Sequence, residues 1–327
     1  MSKIIEFNQI SKDFKILTKK KGKGFLNMFR RDKKIINALN NISFEIEEGD
    51  IVGYIGPNGA GKSTTIKIMS GILTPTSGEC SIMGLIPWKD RKKYVKNIGV
   101  VFGQRSQLWW DVPIIDSFEL LKDIYKIPTA EYEETLNDLI KTLNLGDLLN
   151  RPLRQLSLGQ KMKCELAGSL LHRPKVLFLD EPTIGLDAVT KLAVRDFIKE
   201  INKKWGTTII LTTHDMSDID ALTNKIILIG RGQILYNGNF SAIKEKYGHI
   251  KQIEVEGAQS YDSIELPGYT VISHEHNMAT LKNNDDKEFH VKEFFNEITQ
   301  KYDVVDFQVN SISVDEILAK LYTELNL

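Results

Sequence analysis

Short apolar runs that end in polar residues recur at positions 51–55, 176–181 and 207–214. Runs of this kind are typical of strands buried on both faces of a parallel sheet. From Asp116 to about Leu171, apolar residues instead recur at spacings of three and four, which predicts helices. The pattern therefore predicts an α/β fold with a mainly parallel sheet and a helical subdomain at about 105–171.

The flanks of this region carry weaker strand signals. Residues 4–10 alternate between apolar and polar positions, as an edge strand does, and strand character returns at 38–50. A hairpin is predicted around Arg231–Gly232, so the sheet should have an antiparallel β edge. Beyond Gly248 the apolar runs shorten and charge becomes dense. We therefore expect a large domain at 1–248 and a small accessory α/β domain at 249–327.

Charge narrows the range of partners. The chain has 43 basic and 43 acidic residues, so it has no net charge with which to attract nucleic acid. A basic insertion at 18–35 is the local exception.

Cys80 and Cys164 lie far apart, which argues for reduced thiols in the cytoplasm and against a disulfide framework. No stretch approaches the roughly 20 apolar residues of a spanning helix, so we expect any membrane role to run through a partner.

The clearest chemical motif follows the first apolar run. Residues 56–63, GPNGAGKS, fit G-x-x-x-x-G-K-[ST] and lie between a predicted strand and a helix predicted at 64–69. Glycines let successive N–H groups converge on phosphate oxygens, and the helix N-terminus adds about half a positive charge. The Lys then reaches the β- and γ-phosphates, and the Ser offers a hydroxyl to Mg²⁺. The candidate nucleotide-binding residues are Gly56, Pro57, Asn58, Gly59, Ala60, Gly61, Lys62, Ser63 and Thr64.

Two acids and a histidine stand where later strands are predicted to end. Asp180 can hold Mg²⁺, and Glu181, one residue further, suits a base that polarises attacking water. Two adjacent acids alone would fit a solvated strand end, but the phosphate loop favours the catalytic interpretation. His214 ends the run at 207–214, and open α/β sheets bind ligands at the carboxyl edge. We expect Lys62, Glu181 and His214 along that edge, with His214 sensing the γ-phosphate.

The order of these motifs resembles one family. LSLGQ at 156–160, LLHRPKVLFLDEPTIGLD at 170–187 and TTH at 212–214 resemble the motifs of ATP-binding cassette (ABC) ATPases. The resemblance covers about residues 4–248. It implies a P-loop NTPase fold of ABC type, ATP hydrolysis, and ATP and Mg²⁺ as cofactors.

Further site residues follow from this resemblance. Gln104 resembles the Q-loop glutamine that links metal, water and transporter; it fits the family spacing better than Gln107, with Gly103 as a one-residue insertion. Asp187 resembles the D-loop aspartate at the dimer interface. Phe14 occupies the place of the aromatic that stacks on adenine, although a core role is an equal alternative.

The same resemblance implies that two cassettes pack head to tail. We therefore expect a second ATPase subunit as partner, in a homodimer. The segment 156–160 would then complete the partner's site. Ser157 and the Gly159 amide would donate to the γ-phosphate of ATP bound across the interface, within a motif that Gln160 closes. Binding energy that differs between open and closed dimers can move a partner.

Three segments together resemble ATPases partnered with type-2 exporter permeases: GVVFGQRSQLWWDVP at 99–113, LSLGQKMKCELAGSLLHRPKVLFLDEPTIGLD at 156–187, and the basic stretch between the first two strands. This implies the energising subunit of an exporter, at the cytoplasmic face of the membrane and peripheral through a separate permease. An ABC importer ATPase and a soluble cassette protein acting on ribosomes or DNA are the alternatives.

Two features stay open at this level. Trp109 and Trp110 either pack inside the helical subdomain, the slightly favoured interpretation, or line the groove that receives the permease. The insertion at 18–35 is either a solvated basic loop or a contact with anionic inner-leaflet lipid.

Overall fold

The computed structural model describes residues 2–19, 31–103, 106–258, 264–284 and 288–324. The chain folds into two compact units, Met1–Gly238 and Asn239–Leu327. The strands are β1 (Lys3–Lys19), β2 (Arg31–Glu47), β3 (Ile51–Ile55), β4 (Ser77–Ile82), β5 (Ile98–Phe102), β6 (Val176–Asp180), β7 (Thr208–Thr212), β8 (Lys225–Gly230), β9 (Gln233–Asn239), β10 (Lys251–Gly257), β11 (Tyr269–Glu275), β12 (Met278–Asn283) and β13 (Val304–Ser311). The helices are α1 (Lys62–Met69), α2 (Arg91–Tyr94), α3 (Ile114–Tyr125), α4 (Thr129–Leu143), α5 (Leu158–Leu170), α6 (Ala188–Trp205), α7 (Met216–Leu222), α8 (Phe240–Tyr247), α9 (Val291–Thr299) and α10 (Val314–Glu324).

A six-stranded sheet in the order β5-β6-β7-β3-β8-β9 forms the centre of the first unit. The first five strands in this order pair in parallel. β6 and β7 are buried along almost their whole length, which is why each is an unbroken apolar run. Arg231 and Gly232 have positive φ angles and turn the chain from β8 into β9, as the hairpin prediction requires.

A three-stranded antiparallel sheet, β2-β1-β4, lies at the side of this unit. Its inner face contributes to the main hydrophobic core, where the rings of Phe7 and Phe44 stack with centroids 4.6 Å apart. The predicted α/β fold, with a mainly parallel sheet, an antiparallel β edge and a helical subdomain, is confirmed.

Both strands of the β1–β2 pair are longer than the sequence pattern predicts. β1 continues to Lys19 and β2 begins at Arg31, so the flanks of the basic insertion are strands and not loop. Cross-strand pairing stabilises these strand ends, and the side chains described there, at 14–16 and 34–37, are exposed. An apolar pattern therefore does not reveal them. Residues 20–30 of the insertion lie outside the described residues.

Helices α3, α4 and α5 form the predicted helical subdomain. The buried residues of α4 recur at spacings of three and four, as an amphipathic helix requires. Beyond α5, His172 lies with its Nε2 2.8 Å from the Ile98 carbonyl of β5. Its ring stacks on Tyr125 of α3 with centroids 4.0 Å apart. His172 therefore connects helix α3 of the subdomain to β5 of the parallel sheet.

The second unit contains an antiparallel sheet in the order β11-β12-β10-β13. Its core includes Ile253, Leu281 and Phe294, the last from α9. Ser313 accepts a hydrogen bond from the Glu316 amide at the start of α10. Across the described part of the chain, none of the helices has the length and apolar character to span a bilayer.

Candidate nucleotide-hydrolysis site

The loop between β3 and α1 has a backbone that only glycine tolerates at several positions. Gly59 and Gly61 have φ angles of +80° and +114°, in the region that favours glycine. A Cβ atom at Gly56 would lie 2.1 Å from the Ile229 carbonyl oxygen. The loop therefore packs closely against β8 and continues into the N-terminus of α1. A helix N-terminus is a favourable place for a phosphate group.

The ammonium of Lys62 lies over this loop. Its Nζ donates to the carbonyl of Gly56 at 2.6 Å and to that of Pro57 at 3.2 Å, and the residue is 8% exposed. Burial lowers the pKa of Lys62, because it penalises the charged form, while the carboxylates of Glu181 and Asp180 oppose this shift. A cation held here against two carboxylates fits the phosphates of a bound nucleotide.

Ser63 and Asp180 line a common cleft beside this loop. Asp180 ends β6, and its Oδ1 accepts a hydrogen bond of 2.5 Å from the Thr212 hydroxyl at the end of the neighbouring β7. Hydroxyl and carboxylate oxygens are ligands that Mg²⁺ prefers. The donor set thus fits the predicted metal site, and a bound Mg²⁺ would supply positive charge to the phosphate oxygens.

Glu181 and His214 meet at the carboxyl edge of the sheet. His214 Nε2 lies 2.8 Å from Glu181 Oε1. Glu181 has a φ of +57°, and its amide donates to the Thr212 carbonyl at 3.0 Å, which holds the strained turn in place. The carboxylate lines the cleft at Ser63 and also a second cleft that His214 lines. This geometry suits a base that faces a γ-phosphate.

Gly103 brings the chain after β5 against this site. Its amide donates to the Asp180 carbonyl at 2.8 Å, and a Cβ atom at Gly103 would lie 2.7 Å from the Glu181 carbonyl oxygen. Gly103, which the family resemblance treats as a one-residue insertion, is therefore required by the close approach of this chain segment to Glu181. Gln104, the next residue, lies outside the described residues.

Ser157 caps α5. Its hydroxyl accepts from the Gln160 amide at 3.3 Å, and the Gln160 side chain accepts from the Ser157 amide at 3.0 Å. This capping box leaves the first amides of α5 exposed at a positive helix end. Leu158, which follows the cap, is 47% exposed. The start of this helix thus has the chemistry to hold an anion.

Asp187 caps α6 in the same way, and the two caps are adjacent. Its carboxylate accepts from the amide and the hydroxyl of Thr190, at 2.9 Å and 2.7 Å. The hydrogen bond from the Thr190 hydroxyl lowers the pKa of Asp187. A Cβ atom at Gly159 would lie 2.7 Å from Thr190 Cγ2. The N-termini of α5 and α6 are therefore packed directly on each other.

Phe14 lies on β1 opposite Ile36 of β2 and is 36% exposed, so it is not a core residue. The Lys12 ammonium lies 5.4 Å from its ring centroid. Two residues beyond Ile36, the carbonyl of Ala38 approaches the phosphate loop at Gly61. The half-exposed ring therefore lies on β1, next to the strand β2 that approaches the loop, and adenine stacking stays a prediction.

Behind these residues lies a buried network that no sequence pattern indicates. Asp218 of α7 is fully buried and accepts from Arg195 Nε at 2.6 Å and from the Thr213 hydroxyl at 3.0 Å, with Thr183 also donating to it. It joins the loops after β6 and β7, which carry Glu181 and His214. Arg195 lies on α6, so only the fold reveals this pairing.

The fold and the site together define a P-loop ATPase, and comparison with known proteins identifies its family. The sequence profile described as ABC transporter matches residues 39–184. The ABC transporter ATP-binding protein NatA of Bacillus subtilis (strain 168) is 30% identical over 66% of this chain and 88% of its own length. The chain belongs to the ABC transporter ATP-binding family and is an ATP-hydrolysing cassette.

Other relatives differ in length and in the function their names state. ABC transporter A family member 8 of Dictyostelium discoideum is 35% identical over 70% of this chain, which spans only 27% of that protein. The methionine import ATP-binding protein MetN of Ligilactobacillus salivarius (strain UCC118) is 32% identical over 64% of this chain and 62% of its own length. Relatedness alone therefore does not fix a direction of transport.

Solved structures agree with the fold. The dimeric post-hydrolysis state of the ATP-binding cassette MJ0796, bound to ADP and Pi, matches 72% of this chain and 98% of its own, with a TM-score of 0.60 and 27% identity.

Proposed function

We propose that this chain is the ATP-hydrolysing subunit of a membrane exporter that acts through a separate permease. The observation that carries the hydrolytic part is the pair Glu181–His214, 2.8 Å apart, beside Lys62 and Asp180. In this proposal Glu181 polarises the attacking water, His214 contacts the γ-phosphate, and Asp180, Ser63 and Gln104 hold Mg²⁺. A second copy of the chain contributes Ser157, Gly159 and Asp187 to the site.

The exposed tryptophans support contact with a permease. Trp109 and Trp110 are 40% and 54% exposed, so the slightly favoured expectation that they pack inside the helical subdomain is wrong. Lys161 Nζ lies 4.5 Å from the Trp110 ring centroid, at a cleft that Leu158 and Met162 also line. Aromatic side chains half exposed at a cleft are typical of protein–protein interfaces.

Co-purification tests this contact. Affinity purification from detergent-solubilised membranes is expected to recover a polytopic membrane protein with the wild-type chain. Replacing Trp109 and Trp110 by Ala should abolish that recovery while ATP binding persists. Recovery of ribosomes or DNA in place of a membrane protein would contradict transport, and unchanged recovery with the double variant would contradict the tryptophan contact.

The direction of transport rests on the resemblance of residues 99–113, residues 156–187 and the basic insertion to ATPases that pair with type-2 exporter permeases. The relative MetN, whose name states import, makes an importer ATPase the specific alternative. The complex recovered above, reconstituted with its cassettes on the outside of liposomes, separates the two. Compounds that stimulate its ATPase are then tested for movement. An exporter accumulates the compound inside the vesicles when ATP is added outside, whereas an importer releases preloaded compound.

The β1–β2 pair supports a location at an anionic membrane surface. Ile16, Ile35 and Ile36 are 44%, 57% and 41% exposed on strands that also present Lys15 and Lys34 to solvent. Apolar and basic side chains together favour the interface of an anionic bilayer, where each cation contributes about 1 kcal/mol.

Sedimentation with vesicles tests this location. Vesicles containing phosphatidylserine are expected to sediment the chain, and neutral phosphatidylcholine vesicles are not. Lys15→Glu with Lys34→Glu should weaken this binding, whereas the exposed Lys92→Glu with Lys93→Glu on α2 should have less effect. Equal sedimentation with both vesicle types would leave the insertion as a solvated basic segment.

A further inference from the structure

His214 reaches Glu181 although little packing surrounds its ring. The His214 side chain is 45% exposed, yet its Nε2 lies 2.8 Å from Glu181 Oε1. An exposed side chain keeps rotamer freedom that packing would remove. Whether the ring contacts the carboxylate therefore depends on the two turns that carry these residues and set the directions of their side chains.

The turn around His214 is fixed on both sides of the residue. The Thr213 hydroxyl accepts a hydrogen bond from the Asp215 amide at 2.9 Å and donates one to Asp218 Oδ2 at 3.0 Å. The Asp215 carboxylate accepts from Lys191 Nζ of α6 at 2.6 Å. Thr213 and Asp215 are the sequence neighbours of His214. These contacts therefore hold the backbone from which the imidazole projects.

The chain that follows Glu181 is bound to the same carboxylate of α7. The Thr183 hydroxyl donates to Asp218 Oδ2, the oxygen that also accepts from Thr213. The other oxygen, Oδ1, accepts from Arg195 Nε of α6 at 2.6 Å. Asp218 is fully buried, and Thr183 and Thr213 are 1% and 3% exposed. A buried carboxylate is costly without its donors, so these contacts persist together.

Asp218 thus joins the turn after β6 to the turn after β7. We propose that Asp218 is a positioning residue that, through Thr183 and Thr213, holds His214 in contact with Glu181 within one chain. Its effect on hydrolysis rests on the proposed roles of Glu181 and His214. The contact between these two side chains can nevertheless be measured in the chain alone, without nucleotide.

The alternative is that the network only stabilises the first unit. A purely stabilising contact changes the melting temperature, whereas a positioning contact also moves the His214 ring relative to Glu181. Thr207 supplies a matched control. It directly precedes β7, as Thr213 directly follows it, and its buried hydroxyl donates to the Pro174 carbonyl at 3.1 Å. Thr207→Val therefore removes a buried hydroxyl at the opposite end of the same strand.

The experiment records the NMR signals of the histidine rings in the nucleotide-free full chain with isotopically labelled histidine. His214→Gln identifies the His214 signal, and Glu181→Ala gives its position without the contact. Thr213→Val should move the signal toward that position, whereas Thr213→Ser, which keeps the hydroxyl, should leave it near that of wild type. Thr207→Val should lower the melting temperature without moving the signal.

Asp218→Asn removes the charge that pairs with Arg195 and should also move the His214 signal. If this variant does not fold, the threonine variants decide the outcome. The positioning role of Asp218 is overturned if folded Thr213→Val moves the signal no further than Thr207→Val does.

Hydrolysis gives a second measurement on the same variants. Thr213→Val should lower kcat by about 10- to 100-fold, the scale for a small misplacement of a catalytic group. KM for ATP should stay within about twofold, because none of these contacts involves the phosphate loop. His214→Gln should itself lower kcat. If it does not, the catalytic role proposed for His214 is wrong, while the ring signal still decides whether Asp218 positions it.

Discussion

At the scale of single residues, the site depends on a strained backbone at Glu181 and on the contacts that hold it. Glu181 sits in a left-handed backbone conformation and contacts His214 at 2.8 Å. Strain of this kind costs about 1–3 kcal/mol and persists where surrounding contacts fix it. Here the Thr212 carbonyl accepts a hydrogen bond from the Glu181 amide, and the Thr212 hydroxyl donates one to the Asp180 carboxylate. One residue of β7 therefore orients both acids.

Replacing Glu181 by Gln should preserve ATP binding and slow hydrolysis by about 100-fold or more, the usual scale for loss of a general base. The amide keeps the size of the side chain but cannot accept a proton from water. Steady-state hydrolysis and binding of a fluorescent ATP analogue measure the two effects, with the exposed Glu200→Gln as control. Normal hydrolysis by Glu181→Gln would remove the residue from its proposed role.

His172 should make the stability of the first unit depend on pH. Its pKa is lowered to about 4 by burial, against about 6.5 in an unfolded chain. As pH falls below 6.5 the unfolded state binds a proton that the folded state excludes. Stability is therefore lost between pH 6.5 and pH 4, by about 1.4 kcal/mol per pH unit.

Urea unfolding at pH 7 and pH 5 measures this loss, which should be about 2 kcal/mol larger for wild type than for His172→Gln. The variant has no group that titrates in this range, yet it can still donate toward the Ile98 carbonyl. Parallel pH dependences in the two proteins would show that His172 does not titrate as expected.

At the scale of elements, the contact between the two capped helices links the segment 156–160 to Asp187 of the same chain. Ser157 and Asp187 cap α5 and α6, and Gly159 packs on Thr190 between them. Gly159 therefore has two roles to separate: contact with Thr190 inside the chain and close approach to a nucleotide held by another chain.

Gly159→Ala should destabilise the first unit by about 1–3 kcal/mol, because its Cβ would overlap Thr190 Cγ2. Thr190→Ser removes that methyl group and retains the hydroxyl that bonds Asp187. The double variant should therefore recover its melting temperature. If it also recovers ATPase activity, Gly159 serves packing alone; the proposed site predicts that activity stays low. Thr190→Ser alone is the control.

Sequence patterns predicted those elements whose burial makes them regular. The prediction of β3, β6 and β7 follows from their two apolar faces, and the prediction of Lys62, Asp180 and Glu181 as site residues follows from the motifs at the ends of these strands. An apolar pattern does not reveal the extensions of β1 and β2, because cross-strand pairing stabilises them and their described side chains at 14–16 and 34–37 are exposed. Gly103, Thr190 and Asp218 act through contacts across the fold, which spacing along the chain does not encode.

At the scale of the whole molecule, the proposed site is complete only when a second copy is added. Each chain alone presents a phosphate loop with its acids, and elsewhere an exposed capped helix. The dimeric MJ0796 cassette is similar to this chain, which supports a shared arrangement. Mixing two inactive variants tests whether residues are exchanged between chains.

Lys62→Ala chains and Ser157→Arg chains should each fail to hydrolyse ATP. When they are mixed, a heterodimer contains one site with an intact Lys62 and an intact Ser157, and one site that lacks both. Random mixing should restore about a quarter of wild-type activity, since half of the dimers are mixed and each mixed dimer has one intact site out of two.

Ser157→Asp strengthens the test, because Asp still caps α5 but repels phosphate. It should be as inactive alone and as well complemented as Ser157→Arg. If each chain supplied Ser157 to its own site, neither mixture would regain activity.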